Sequence, residues 1–253
     1  MSTTNIGMCE FCDQTFSARG MTRHLQACSP RKEQQAVEKK AGRTAQLHHL
    51  KVAGKYYPEY WMHLEMAGES SLANLDRFLR AVWLECCGHL SEFRTETTDY
   101  RDTEFIEEED PLFPAFGAYR RKTASMNVPL ARVFETDEAL DYQYDFGSTT
   151  HLRIEVKDLR TGVAPEKGIR IMARNIPPEF SCTVCGKQAA AICVECQWIV
   201  DNPFYCDSCA EDPAKHACDA GYDMMLPVVN SPRMGVCGYC GPSSPEPDGW
   251  RMV

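Results

Sequence analysis

Five Cys-x-x-Cys pairs constrain this chain more than any other feature: Cys9/Cys12, Cys182/Cys185, Cys193/Cys196, Cys206/Cys209 and Cys237/Cys240. Two residues between thiols let a tight turn aim both sulfurs at one tetrahedral ion. Ten of the 14 cysteines sit in such pairs, so metal rather than chance sets their spacing. His24 with Cys28, and His216 with Cys218, add ligand types at finger-like offsets. The first residues show neither a basic nor an apolar leader region. That predicts no secretory signal and a cytoplasmic setting, where thiols stay reduced and bind metal. No apolar run approaches the ~18 residues of a membrane span, so no membrane partner is expected.

Residues 1–30 read as a zinc finger, Cys9-x2-Cys12-x11-His24-x3-Cys28. His24 and Cys28 lie one helical turn apart and point the same way. Phe16 and Met21 fall where so small a unit needs its apolar residues. A mini-domain of this size draws its folding free energy from the ion, on the order of 10–16 kcal/mol at neutral pH. Residues 179–253 hold the remaining pairs, and their intervals suggest a cross-brace in which alternate pairs share an ion. That assigns Cys182, Cys185, Cys206 and Cys209 to one zinc. Cys193, Cys196 and His216 go to another, completed by Cys218 or Cys237, with Cys240 left as a spare thiol. Three structural zinc ions per chain follow. Thiolate-rich, fully populated sets leave no open coordination position, so no catalytic zinc and no enzyme activity are expected.

Charge is uneven. Residues 1–55 carry nine Lys/Arg against four Asp/Glu, a surplus of five positive charges, within a chain whose net charge is −9. A basic head on an acidic body points to a polyanion at the head. Arg19, Arg23, Arg31 and Lys32 are its candidate phosphate contacts. Residues 31–54 are polar, basic and rich in helix formers, and read as a helical linker that carries His48 and His49 in solvent.

Residues 55–178 read as an α+β domain. Met62, Leu64 and Met66 alternate as a half-buried strand, and Ser70 or Ser71 caps a helix built on Leu72, Leu75, Phe78, Leu79, Val82 and Trp83, ending at Gly88. Tyr142–Phe146 and Leu152–Val156 alternate around Gly147-Ser148 as a hairpin, and Ile169, Ile171 and Ala173 form a further strand. Cys86, Cys87 and His89, at the end of the apolar helix, read as small packing residues rather than ligands. The acidic run at 107–110 lacks the glycine-centred loop of a calcium site. Asp145 and His151 across the hairpin are an acid–base candidate, but no nucleophile elbow or phosphate loop joins them.

Three segments, 72–93, 142–156 (with Tyr144-Asp145-Phe146-Gly147) and 225–239, resemble in order the Ri-plasmid ORF-three-like family, whose members are often labelled insertion-element passenger proteins. The resemblance implies a compact α+β domain with a zinc-bearing module behind it, and leaves the N-terminal finger outside. It implies no activity, and no serine- or tyrosine-recombinase residue set accompanies it. The expectation is a non-enzymatic zinc protein that meets nucleic acid through residues 1–55. The alternative is an adaptor whose zinc modules bind protein. Third is an enzyme with a pocket at the 142–156 hairpin.

Overall fold

The computed structural model describes residues 5–39, 44–102, 121–135, 138–219 and 224–242. The acidic run at 107–110 lies outside them. Strand β1 (Ile6–Cys9) and β2 (Thr15–Ser17) lead into helices α1 (Ala18–Ala27) and α2 (Ser29–Glu38). Then come β3 (Thr44–Gly54), β4 (Trp61–Ala67), α3 (Leu72–Leu79) and a π-helical turn, Arg80–Leu84. β5 (Ser91–Arg94), β6 (Thr98–Arg101), β7 (Lys122–Ser125) and α4 (Leu130–Val133) precede the long hairpin β8 (Ala139–Tyr144) and β9 (Thr150–Val163), followed by β10 (Ile169–Asn175). These ten strands form one sheet in the order β2-β1-β10-β4-β3-β9-β8-β5-β6-β7, antiparallel except for β6 beside β7. A second sheet, β12 (Phe204–Tyr205), β11 (Ala191–Cys193) and β13 (Met225–Pro227), belongs to the cysteine-rich tail.

One correction is large. Residues 44–54 are no linker but the interior strand β3, bonded to β4 on one side and to β9 on the other. The finger is no separate domain either, because β1 pairs with β10 and so extends the same sheet. Gly7 makes that approach possible: a Cβ there would collide with the Arg174 carbonyl oxygen and with the Trp61 ring.

Strand β4 shows why alternation misled. Met62, Leu64 and Met66 join Leu72, Leu75, Leu79 and Trp83 in the main core, as a half-buried strand would. Trp61, His63 and Glu65 occupy the other face and are buried as well. Trp61 packs with Met21 and Leu25 of α1, and Arg31 of α2 reaches Glu65 at 3.1 Å. The N-terminal helices are therefore the second layer of a sheet covered on both faces. Ser71 caps α3 by accepting from the Asn74 amide. The regular helix ends at Leu79, before the π-helical turn that buries Val82, Trp83 and Leu84 together, so the helical run stops at Leu84, short of Gly88.

His48 and His49 are buried in β3 rather than solvated. His49 Nε2 lies 2.7 Å from His63 Nδ1. Burial, then the charge of Arg31, pulls His49 down to about 3, and burial, then His49, pulls His63 well below its usual value. A depressed folded value means that the unfolded chain binds the proton first. The stability is complete above the ordinary value of 6.5 and is lost as pH falls below it. Between pH 7.5 and 5.5 each imidazole is expected to cost up to about 1.4 kcal/mol. Urea midpoints in saturating zinc at the two pH values measure this, and His49→Gln/His63→Gln should flatten the dependence. An equal slope in that variant would refute the assignment.

Candidate metal centres

The first centre is built by local signals. Cys9 ends β1, and Cys12 lies in the turn that the Asp13 amide closes onto the Cys9 carbonyl, Asp13 taking a positive φ of 55°. Ser17 caps α1 through the Gly20 amide, and α1 carries His24 with Cys28 at its C-cap. Cys9, Cys12, His24 and Cys28 place their ligand atoms within 4.8 Å of one another. Cys9 and Cys28 sulfurs are 4.0 Å apart, and Cys12 Sγ is 3.3 Å from His24 Nε2. Bond lengths at zinc give tetrahedral edges of about 3.8 Å between sulfurs and about 3.5 Å between sulfur and nitrogen. The observed edges straddle those values.

The second and third centres interleave, as a cross-brace requires. Cys182, Cys185, Cys206 and Cys209 form one group, with sulfur separations of 3.6 Å for Cys185–Cys206 and 3.8 Å for Cys185–Cys209. Hydrogen bonds with Ser208 and from the Cys209 amide pull the Cys206 thiol down to about 6. Cys193, Cys196 and Cys218 form the next group, with Cys218 at 3.6 Å from Cys193 and 3.4 Å from Cys196. His216 does not join that trio within the same limit. Its ring lies 4.6 Å from the Tyr205 ring, whose hydroxyl donates to Cys196 Sγ. Both His216 ring nitrogens are buried with no hydrogen-bond partner.

Cys237 requires a correction. It gathers not with Cys193 but with Cys86, Cys87 and His89, far away in sequence. Cys87 is exposed rather than a packing residue, whereas Cys86 is half-buried and packs against the main core. All 14 cysteines are free thiols, Cys240 among them. Among the described residues, four Cys/His groups could thus each hold a metal ion.

The remaining candidates separate. Asp145 and His151 do not form a pair. Asp145, at φ 66°, turns the hairpin by accepting from the Gly147 and Ser148 amides, and its other oxygen takes Arg233 at 2.7 Å. Burial alone would raise its carboxyl, but Arg233 and those amides hold it below the ordinary value. His151 packs edge-on to Tyr56 at 5.2 Å. A cavity of about 660 Å³ opens beside β8 and β9, among whose lining are Arg121, Arg153, Lys157, Glu138, Asp141 and Glu155; it leaves Asp145 out. Arg31 is also corrected. It is buried, donating to the Leu25 carbonyl and to Glu65, and cannot meet a phosphate. Arg19, Arg23 and Lys32 are exposed.

Comparison with known proteins supplies the relationship. A family model described as "Plasmid pRiA4b ORF-3-like protein" matches residues 46–187, more than half of the 253 residues. The chain belongs to that family. The match to this ORF-3-like family begins in β3 and ends among the first tail cysteines. No curated protein matches. One solved structure that is similar is the "Crystal Structure of Protein of Unknown Function MM3350 from Methanosarcina mazei Go1". It is 17% identical with a TM-score of 0.37, over 53% of this chain and 69% of that one. No helix among the described residues is long and apolar enough to cross a membrane.

Proposed function

We propose that this ORF-3-like protein is a non-enzymatic zinc protein that binds the nucleic-acid backbone through the outer faces of α1 and α2. The observation that carries the reading is Arg19 and Arg23, exposed one helical turn apart on α1, while Met21 and Leu25 bury its inner face. Exposed Lys32 extends the positive surface onto α2. Pairing of β1 with β10 fixes this surface to the rest of the sheet. Zinc is the ion that suits tetrahedral thiolate and imidazole sets. Cys9, Cys12, His24 and Cys28 take one ion and Cys182, Cys185, Cys206 and Cys209 a second. Cys193, Cys196 and Cys218 take a third, and His216, whose buried ring nitrogens lack a hydrogen-bond partner, would become its fourth ligand by swinging from its place beside Tyr205. Closed sets of this kind support a structural rather than catalytic role.

Three phosphate contacts predict a salt slope near −2.7, about a 40-fold loss of affinity between 50 and 200 mM salt. Anisotropy titrations with duplex and single-stranded oligonucleotides measure it, and Arg19→Glu/Arg23→Glu should abolish binding. Salt-independent affinity, or binding untouched by the charge reversal, would end the proposal. One observation favours the protein-adaptor reading: Trp198 is 81% exposed beside Ile199, next to Cys196. On the adaptor reading Trp198→Ser, not the α1 reversal, is the damaging change.

A further inference from the structure

We propose that Cys86, Cys87, His89 and Cys237 form a fourth zinc site, open to solvent, that clasps the C-terminal segment onto the sheet domain. This goes beyond the three ions above, since its ligands come from two stretches separated by about 150 positions.

The four ligand atoms lie within 4.8 Å of one another. Cys87 Sγ is 3.6 Å from Cys86 Sγ and 3.6 Å from Cys237 Sγ. His89 Nε2 stands 3.5 Å from Cys237 Sγ and 2.9 Å from Cys87 Sγ. Three of these distances match tetrahedral edges of about 3.8 Å and about 3.5 Å at zinc. The fourth is short and needs only a small rotation of the imidazole, which an exposed loop permits.

Both halves of the site are held by groups that are not ligands, so their meeting is built in. On the sheet side, Glu85 accepts from the Gly88 amide at 2.6 Å and pairs with Arg80 at 2.6 Å. Gly88 takes a φ of 77° that lets the chain turn between Cys87 and His89. On the tail side, Ser231 donates to the Trp83 carbonyl at 2.6 Å, just before the cysteines. The fully buried Arg233 reaches Asp145, the Ser148 carbonyl and Thr150 Oγ1. Tyr239 is buried beyond Cys237. Cys237 itself adopts φ 56°, which turns the tail at the ligand position.

Exposure sets this site apart. Each of the other three groups has at least two buried members, whereas here none is buried: Cys87 and Cys237 are exposed, Cys86 and His89 half-buried. A chelator or competing thiol reaches such an ion first. The fourth ion should therefore leave before the others, freeing the tail's grip while the remaining ions stay.

Metal content per chain tests the site, measured by elemental analysis and native mass on reduced, full-length protein. Four ions are expected for the wild type, three for Cys87→Ser and for Cys237→Ser, and four again for His89→Cys, which exchanges imidazole for thiolate. Release followed with a zinc-sensitive dye should show one early equivalent from the wild type, at unchanged far-ultraviolet circular dichroism. That arm stands even where a serine variant misfolds. A count of three in both the wild type and Cys237→Ser overturns this site while leaving the other three in place. Release of all ions at a single rate, or a Cys87–Cys237 disulfide in the non-reducing intact mass, overturns it too.

Discussion

Excess chelator at neutral pH is expected to unfold β1, β2 and α1 together with residues 180–219, while the sheet from β4 through β9 stays folded. The reason is the scarcity of apolar contact at both ends. The finger's own buried residues are Cys9, Met21, Leu25 and Cys28, laid over Trp61, Met172 and Ala173. Ordering so short a segment over so few large side chains is unfavourable on its own, and binding of an ion would supply the missing folding free energy. The tail is poorer still, its buried cluster consisting largely of the ligand cysteines themselves with Tyr205 and Ala210. Trp61 is the reporter, because the finger covers it. Its emission should shift to the red on chelation in a Trp198→Phe background and return when zinc is restored. Emission that stays unchanged once the metal is demonstrably gone would mean that the sheet alone holds the finger.

Replacing Glu65 by Gln should cost about 3–5 kcal/mol, the penalty for stranding buried charge. Glu65 is 1% exposed and accepts from three arginines. Arg160 grips both oxygens at 2.7 and 2.6 Å, Arg31 comes from α2 at 3.1 Å, and Arg170 stands at 3.5 Å while also holding Glu38. Burial alone would raise the carboxyl; hydrogen bonds and charge from Arg160 and then Arg31 reverse that and hold it below 4.5. Its contribution is therefore complete above that pH and disappears as pH falls further. Urea denaturation at pH 7 should show a lower midpoint for Glu65→Gln with an unchanged slope. Glu65→Met/Arg31→Met should be less damaging than Glu65→Gln alone, because it removes charge from both sides. A loss below 1 kcal/mol for Glu65→Gln would show that water reaches the cluster.

What the sequence made legible was what neighbouring residues decide. The finger ligands lie within twenty positions, and the tail pairs interleave at short intervals, so spacing alone grouped them. The β8–β9 hairpin and β10 were legible for the same reason, since alternation and turn residues are local. Strand β3 was hidden by His48, His49 and Lys51, which look like solvated polar residues until His63 and Glu155 are placed beside them. Arg31 looked like a phosphate contact because its acceptor, Glu65, lies 34 positions away on a strand that spacing could not place next to it. Cys87 looked like a packing residue because its neighbour Cys237 arrives from a distant turn. Long-range pairing is the common cause of all three errors.

The pairing of Gly7 with Asn175 has a consequence for biosynthesis. The first strand leaves the ribosome long before its neighbour exists. At about 5–20 residues per second the wait is roughly 8–34 s. Through that interval the nascent finger has no sheet to lean on, and on the proposed reading a captured ion would keep Met21 and Leu25 from display. Translation in a zinc-starved cell would therefore expose the youngest part of the molecule to chaperones and proteases before the remainder has been made.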